Sequence, residues 1–232
     1  MSEKSPFKIL VVEDDENLGF VISDLLELKG FEVSWSKDGI DGLKEFGLNE
    51  PHLCVIDIMM PKKDGFTLIQ EIKEINSKVP VIFLTARSME EDRIRGFELG
   101  ADDYVTKPFS NAEFILRVEA VLKRCYSEAN NNGNGQVSIG NYLFTPREAK
   151  LDLNNVTKKL TQRESEILQM LSKQLNATIK RETILNVVWG NDDYFSGRSL
   201  DVFIAKLRKY LAEDPNVSIE NIHGVGFRLA VK

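Results

Sequence analysis

Cysteine and histidine are scarce, two of each in 232 residues. Cys54 lies inside an apolar run and Cys125 at the end of a helical pattern, so no disulfide framework is expected. No cluster of Cys and His has zinc spacing, and neither G-x-G-x-x-G nor G-x-x-x-x-G-K-[ST] occurs. These gaps disfavour zinc proteins, Rossmann dehydrogenases and P-loop NTPases. Long apolar runs are lacking too: none approaches the roughly 18 residues of a membrane span. The opening MSEKSPFKILVV has neither the long apolar stretch nor the small-residue cleavage site of a signal peptide. A reducing, cytoplasmic location is the simplest expectation.

Hydrophobic residues make up 42% of the chain and charged residues 28%, which excludes wholesale disorder. The length suits one large domain or two ordinary ones. The net charge of -6 is unevenly spread. Residues 1–125 hold 16 basic and 24 acidic side chains, whereas residues 126–232 hold 14 and 12. The first half could host a cation, and the second could approach a polyanion.

In the first half, short apolar runs (Phe7–Val12, Leu53–Ile58, Val79–Leu84) and two weaker strands (Glu32–Ser36, Asp103–Thr106) alternate with helical patterns. The helical segments are Asn17–Lys29, Gly39–Asn49, Phe66–Asn76, Met89–Leu99 and Asn111–Arg124. This texture predicts an α/β fold with a five-stranded, doubly wound parallel sheet over residues 1–125. Residues 126–135, mostly SEANNNGNG, read as a flexible linker. Over 136–232, four short β-like pieces lead to a helix from Thr161, a helix Lys180–Trp189, a helix Ser199–Leu211 and a C-terminal hairpin. That order predicts an α+β winged helix-turn-helix domain. Thr161-Gln162-Arg163-Glu164 has the form of a capping box.

Ligands of doubly wound sheets bind at the C-terminal strand ends. Glu13 and Asp14 follow the first strand, and Asp57 ends the third, which should be its neighbour. Three converging carboxylates either raise a pKa or hold a hard cation, and an oxygen-rich, half-open set suits Mg²⁺. Thr85 and Lys107 end two further strands facing the same crevice. A hydroxyl, an ammonium, a cation and an aspartate make a phosphoryl-transfer site, with Asp57 as attacking group. A cis bond at Lys107-Pro108 would aim the lysine inward. Asp15 and Glu16 read as helix N-terminal charges, His52 as the start of a strand, and Trp35 and Phe83 as packing.

The motifs VVEDDE, VIDIMMPKKDGF, LTAR and GADDYVTKPF together resemble the receiver (CheY-like) domain of two-component response regulators. The resemblance implies that Asp57 accepts phosphate from a histidine kinase. It implies that Asp14, Asp57 and the Met59 backbone carbonyl ligate Mg²⁺, with Glu13 acting through water. It also implies Thr85 and Tyr104 as switch residues, Thr85 moving toward the phosphate and Tyr104 turning inward. The chain would accept a phosphoryl group and hydrolyse it slowly, without being an enzyme. Aspartyl-phosphate phosphatases of the haloacid dehalogenase class are a rival, but they need an acid where Met59 stands.

In the second half, the helix beginning at Ser199 sets Leu200, Ile204, Leu207 and Leu211 on one face and Val202, Lys206 and Lys209 toward another. A basic stripe opposite an apolar one fits a recognition helix in a DNA major groove. Arg198 precedes this helix, and His223 and Arg228 lie by the hairpin. LTQRESEIL, ILNVVWG, GRSLDVFIAKLRKYL and IHGVGFRL resemble the effector domain of the OmpR/PhoB subfamily. The candidate DNA contacts are Arg198, Ser199, Val202, Phe203, Lys206, Lys209, His223 and Arg228. Ala205, Phe203 and His223 depart from common family choices, which leaves base assignments open. Loop Asn191–Gly197 corresponds to the segment through which activators touch RNA polymerase.

The subfamily resemblance implies a phosphorylation-dependent homodimer through the fourth helix, fifth strand and fifth helix of the receiver. The matching residues are Arg93, Ile94, Phe97, Asp102, Asp103, Glu113, Leu116, Arg117 and Arg124. Glu119 replaces a commonly basic residue. Such a dimer would place two recognition helices on promoter DNA, and a flexible linker would allow direct repeats. A regulator that binds DNA constitutively, without using its acidic site, is the remaining alternative.

Overall fold

The computed structural model describes residues 6–86, 90–126, 135–189 and 194–232, with backbone alone for Glu90 and residues 194–198. The chain divides into two compact units, Met1–Ser127 and Glu128–Lys232. No described helix is long and apolar enough to cross a membrane.

The first unit runs β1 (Lys8–Val12), α1 (Glu16–Glu27), β2 (Glu32–Ser36), α2 (Gly39–Asn49), β3 (Leu53–Asp57), α3 (Gly65–Ile75), β4 (Val81–Thr85), α4 (Glu90–Glu98), β5 (Asp103–Thr106) and α5 (Asn111–Tyr126). The five strands are parallel in the order β2-β1-β3-β4-β5. Strands β3 and β4 are buried along their whole length, as continuous apolar runs require when helices cover both faces. The core joins alternate strand residues (Ile9, Val11, Val55, Ile82, Leu84) to Ile22 and Leu26 of α1 and Phe114, Val118 and Val121 of α5. Asp15, Asp38 and Asp64 cap α1, α2 and α3 by accepting from first-turn amides. Three of the unit's acids are thus helix caps, and only the remainder need another explanation.

Tyr126 closes α5 and is not part of a linker. Its ring meets His52 edge-on and Phe7 at a tilt, and its hydroxyl donates to the His52 carbonyl at 3.0 Å. The expected linker residues 127–134 lie outside the described residues, as does Arg87.

In the second unit, β6 (Val137–Ile139), β7 (Tyr142–Thr145), β8 (Lys150–Leu153) and β9 (Val156–Lys159) form an antiparallel sheet. Then come α6 (Gln162–Ser172), β10 (Thr178–Lys180), α7 (Arg181–Trp189), α8 (Tyr194–Tyr210), β11 (Val217–Ile222) and β12 (Gly226–Val231). The Thr161–Glu164 capping box forms in both directions. Two expectations need correction. Helix α8 begins at Tyr194, not Ser199, so the expected loop is shorter, and its residues 191–193 lie outside the described residues. The hairpin is joined by β10, which pairs with β12 to make a three-stranded sheet. At three residues, β10 is too short for alternation to reveal it.

Candidate functional site

The end of β1 is pinned from the β2 side. The Glu13 amide donates to the Ser36 carbonyl at 3.1 Å, and the Trp35 indole N–H donates to the Glu13 carbonyl at 3.0 Å. Trp35, which the sequence suggested only as packing, therefore also sets the backbone that carries the first carboxylate. Asp57 ends β3, two strands' width from β2. The Met59 amide donates to its Oδ1 at 3.0 Å. Helix α3 starts close behind: a Cβ on Gly65 would overlap the Asp57 carbonyl oxygen and come within 2.9 Å of the Ile58 Cα, so only glycine fits.

Glu13, Asp14 and Asp57 each present a carboxylate oxygen within 4.8 Å of the others. Glu13 and Asp57 are buried and Asp14 is exposed, which leaves one open side. The Lys107 ammonium donates to Asp57 Oδ2 at 2.6 Å and Glu13 Oε2 at 2.7 Å. Lys107 arrives there because its amide donates to the Thr85 carbonyl at 2.8 Å; the following Lys107-Pro108 bond is cis. Thr85 itself is buried at the end of β4.

Burial pushes the Glu13 carboxyl up to about 7, against the hydrogen bond from Lys107 and with repulsion from Asp57 adding to it. Burial works to lower the Lys107 ammonium, but its bonds to Asp57 and Glu13 outweigh that and hold it above its ordinary value. The lysine is therefore charged at neutral pH. All three acids offer oxygen, and neither nitrogen nor sulfur ligands stand among them. Such a donor set fits a hard divalent cation rather than zinc.

In the second unit, Arg181 of α7 forms a two-toothed pair with Asp201 of α8 at 2.7 and 2.8 Å. The outer face of α8 carries Asp201, Ala205, Arg208 and Lys209, with Val202 half-buried beside them. Three expected DNA contacts do not reach that face. Phe203 is 0% exposed and packs on Trp189, 5.9 Å between ring centroids. Ser199 is buried as well. Lys206 points inward to Glu164 at 2.5 Å. The apolar stripe is wider than Leu200, Ile204, Leu207 and Leu211 alone, because α7 covers a second flank of the helix. Lys209 and His223 are exposed, and Arg228 on β12 pairs with Glu220 of β11. The Arg198 side chain lies outside the described residues.

Two family models match the chain. Residues 9–119 match the response regulator receiver domain, and residues 155–229 match the C-terminal domain of transcriptional regulatory proteins. The chain is 45% identical over 229 residues to the transcriptional regulatory protein RprY of Bacteroides fragilis, covering 99% of this chain and 96% of that protein. It is a response regulator of the OmpR/PhoB subfamily. Among solved structures it is similar to DrrB, an OmpR/PhoB homologue from Thermotoga maritima, at 31% identity and TM-score 0.50, covering 97% and 99% of the two chains. A RitR mutant shares the fold at TM-score 0.78 and 19% identity, over 97% of this chain and all of that one. The regulator therefore joins a receiver to a DNA-binding effector domain, and phosphorylation controls transcription through it. A histidine kinase and DNA are the partners such a regulator has.

On the regulator's α4–β5–α5 face, Leu116 is 66% exposed, between charged neighbours. Arg117 pairs within the chain, with Asp103 at 3.2 Å and Glu113 at 3.0 Å. Arg93, Ile94 and Arg124 are half-buried. Asp102 and Phe97 are not on this surface. Asp102 is 1% exposed, accepts from the Val81 amide at 3.0 Å and pairs with Lys73. Phe97 is buried against Tyr104. Asp102 turns inward to the first amide of β4 and to Lys73 of α3, and Phe97 turns from α4 onto Tyr104 of β5; charge pattern alone reveals neither.

Proposed function

We propose that Asp57 is the phosphoacceptor of this regulator. Its carboxylate oxygen attacks phosphorus on the kinase's phosphohistidine; the new O–P bond forms as the P–N bond breaks and the imidazole leaves. The supporting observation is a lysine ammonium shared at 2.6 and 2.7 Å between Asp57 and a second buried acid, Glu13. On phosphorylation Lys107 transfers its bond from Asp57 to a phosphoryl oxygen, and Thr85 follows with its hydroxyl. Asp14, Asp57 and the Met59 carbonyl would hold Mg²⁺, with Glu13 supporting the site. When bound, the ion neutralises charge that the phosphoryl oxygens bring.

Receiver, linker and effector span residues 1–126, 127–135 and 136–232. Arg93, Ile94, Asp103, Glu113, Leu116, Arg117 and Arg124 form the face of a phosphorylation-dependent homodimer, in which Arg117 trades a partner in its own chain for one across the two-fold axis. Arg198, Val202, Lys209, His223 and Arg228 contact promoter DNA, arranged as direct repeats. RNA polymerase is a further partner, and the protein works in the cytoplasm.

The test is incubation of the full chain with Mg²⁺ and a small acyl-phosphate donor. Expected are one added phosphoryl group by intact mass, dimerisation and tighter promoter binding, all lost in Asp57→Asn. An unlabelled parent, or labelling that survives Asp57→Asn, overturns the assignment. Equal DNA affinity with and without donor would instead favour a constitutive binder.

A further inference from the structure

Helix α4 carries a glycine where helix propensity opposes one. Gly96 lies within Glu90–Glu98, and an interior glycine is worse there than alanine. No left-handed backbone calls for it, because the positive-φ glycines are Gly30, Gly100, Gly140 and Gly224. Space explains it instead. A Cβ on Gly96 would overlap the Tyr104 hydroxyl oxygen and lie 2.6 Å from its Cζ and 3.0 Å from its Cε2.

Tyr104 enters this slot from β5 and is 7% exposed. Phe83 and Phe97 flank the ring, each 5.2 Å away between centroids. The hydroxyl donates to the Asp92 carbonyl, one turn before Gly96, at 3.0 Å. With two rings packed against it and its tip tethered, the tyrosine has little room to slide aside. The remaining response to a new methyl group is rotation about χ1 into another staggered well. Tyr104 is also the middle of a row of rings: Phe66 of α3 meets Phe83 at 5.6 Å, and Arg95, next to Gly96, lies 4.5 Å over Phe66. Helix α3 begins behind the Asp57 carbonyl. The row thus runs from behind the acidic site to Phe97 of α4, and removing Tyr104 from the slot parts Phe83 from Phe97, leaving the Arg95–Phe66 contact as the other link to α4.

We infer that Gly96 is a positioning residue that keeps open the slot admitting Tyr104, so that any side chain at 96 holds the tyrosine outward. This deepens, and rests on, the reading of Tyr104 as a switch between the acidic site and the α4–β5–α5 face.

The experiment compares full-length parent and Gly96→Ala by tetranitromethane nitration, quantified by peptide mass, without and with Mg²⁺ and acyl phosphate. Exposed Tyr126 is the internal reference. Nitration of Tyr104 is expected to rise several-fold in Gly96→Ala, while Asp57 still takes up phosphate and dimerisation falls. Equal Tyr104 nitration in parent and variant under both conditions overturns the inference. A second arm compares thermal midpoints in a Tyr104→Ala background. There Gly96→Ala should stabilise, as alanine does in a helix, and in the parent background it should not. The same shift in both backgrounds also overturns it. Absence of phosphate uptake by the parent would count against Asp57 as acceptor, and the nitration and midpoint results would still decide the role of Gly96.

Discussion

Glu13 and Asp57 in the receiver are buried much as Glu164 and Arg163 are in the effector domain, but their surroundings differ. Glu164 accepts from the Thr161 amide, the Lys206 ammonium and the Tyr210 hydroxyl. Arg163 donates to the Val188 carbonyl and lies 4.8 Å over the Trp189 ring. The Glu164 charge is met there by the protein itself, with three donors on one carboxylate. In the receiver, three acids cluster around a single ammonium, Lys107, which bonds Glu13 and Asp57 but not Asp14, and negative charge is left over. Asp102 makes the contrast within one domain, since it is buried beside Lys73 and capped by an amide. Burial of charge therefore does not mark a site. Like charges brought together from different strands, and only partly neutralised, do.

Several substitutions would break or sharpen this contrast. The largest effect is expected for Asp57→Asn: phosphoryl uptake is abolished by intact mass, while the receiver's thermal midpoint stays level or rises because repulsion with Glu13 and Asp14 is relieved. A clear fall in midpoint would mean that these acids are as architectural as Glu164. Phe203→Ala should cost the effector domain about 3–5 kcal/mol in denaturant unfolding, as a buried aromatic truncation does. A loss of DNA affinity at unchanged stability would return Phe203 to the DNA face. Glu164→Gln should cost about 1–3 kcal/mol and leave phosphoryl uptake untouched, because Lys206 loses its charged partner. Lys209→Ala should weaken binding to all DNA sequences alike and reduce the salt slope by about 1.

The smallest effect concerns acid. Asp214 accepts from the Asn141 and Asn216 amides, which hold its carboxyl below the usual range. Its contribution is full above the unfolded value of about 4 and is lost as pH falls through the lower folded value. The acid limb of effector unfolding should flatten in Asp214→Asn; an unchanged limb would remove this link.

The sequence made much of this legible, for reasons that are local. Continuous apolar runs bounded by helical patterns could only be a covered parallel sheet, and β2, α2 and β5 fall where the pattern puts them. Strand ends in such a sheet converge, which is why Glu13, Asp14, Asp57, Thr85 and Lys107 could be assigned to one crevice. The capping box at Thr161 was readable because its two partners are three residues apart. Ser199, Phe203 and Lys206 were misread because a helix has no outer face until its neighbours are known. Phe97 follows the same reason; Asp102, in the segment before β5, is buried by partners 21 and 29 residues away along the chain, and short β10 carries no period of its own.

Sequence by itself therefore determined most of the elements, their order and the acidic residues at the strand ends, since these follow from periodicity and from chain connectivity. Tertiary structure decided which side of α8 is free, where Lys206 spends its charge, that Trp35 fixes Glu13, and why α4 carries glycine at 96. Each of those depends on atoms far apart along the chain coming within a few ångströms, and no local pattern encodes such a meeting.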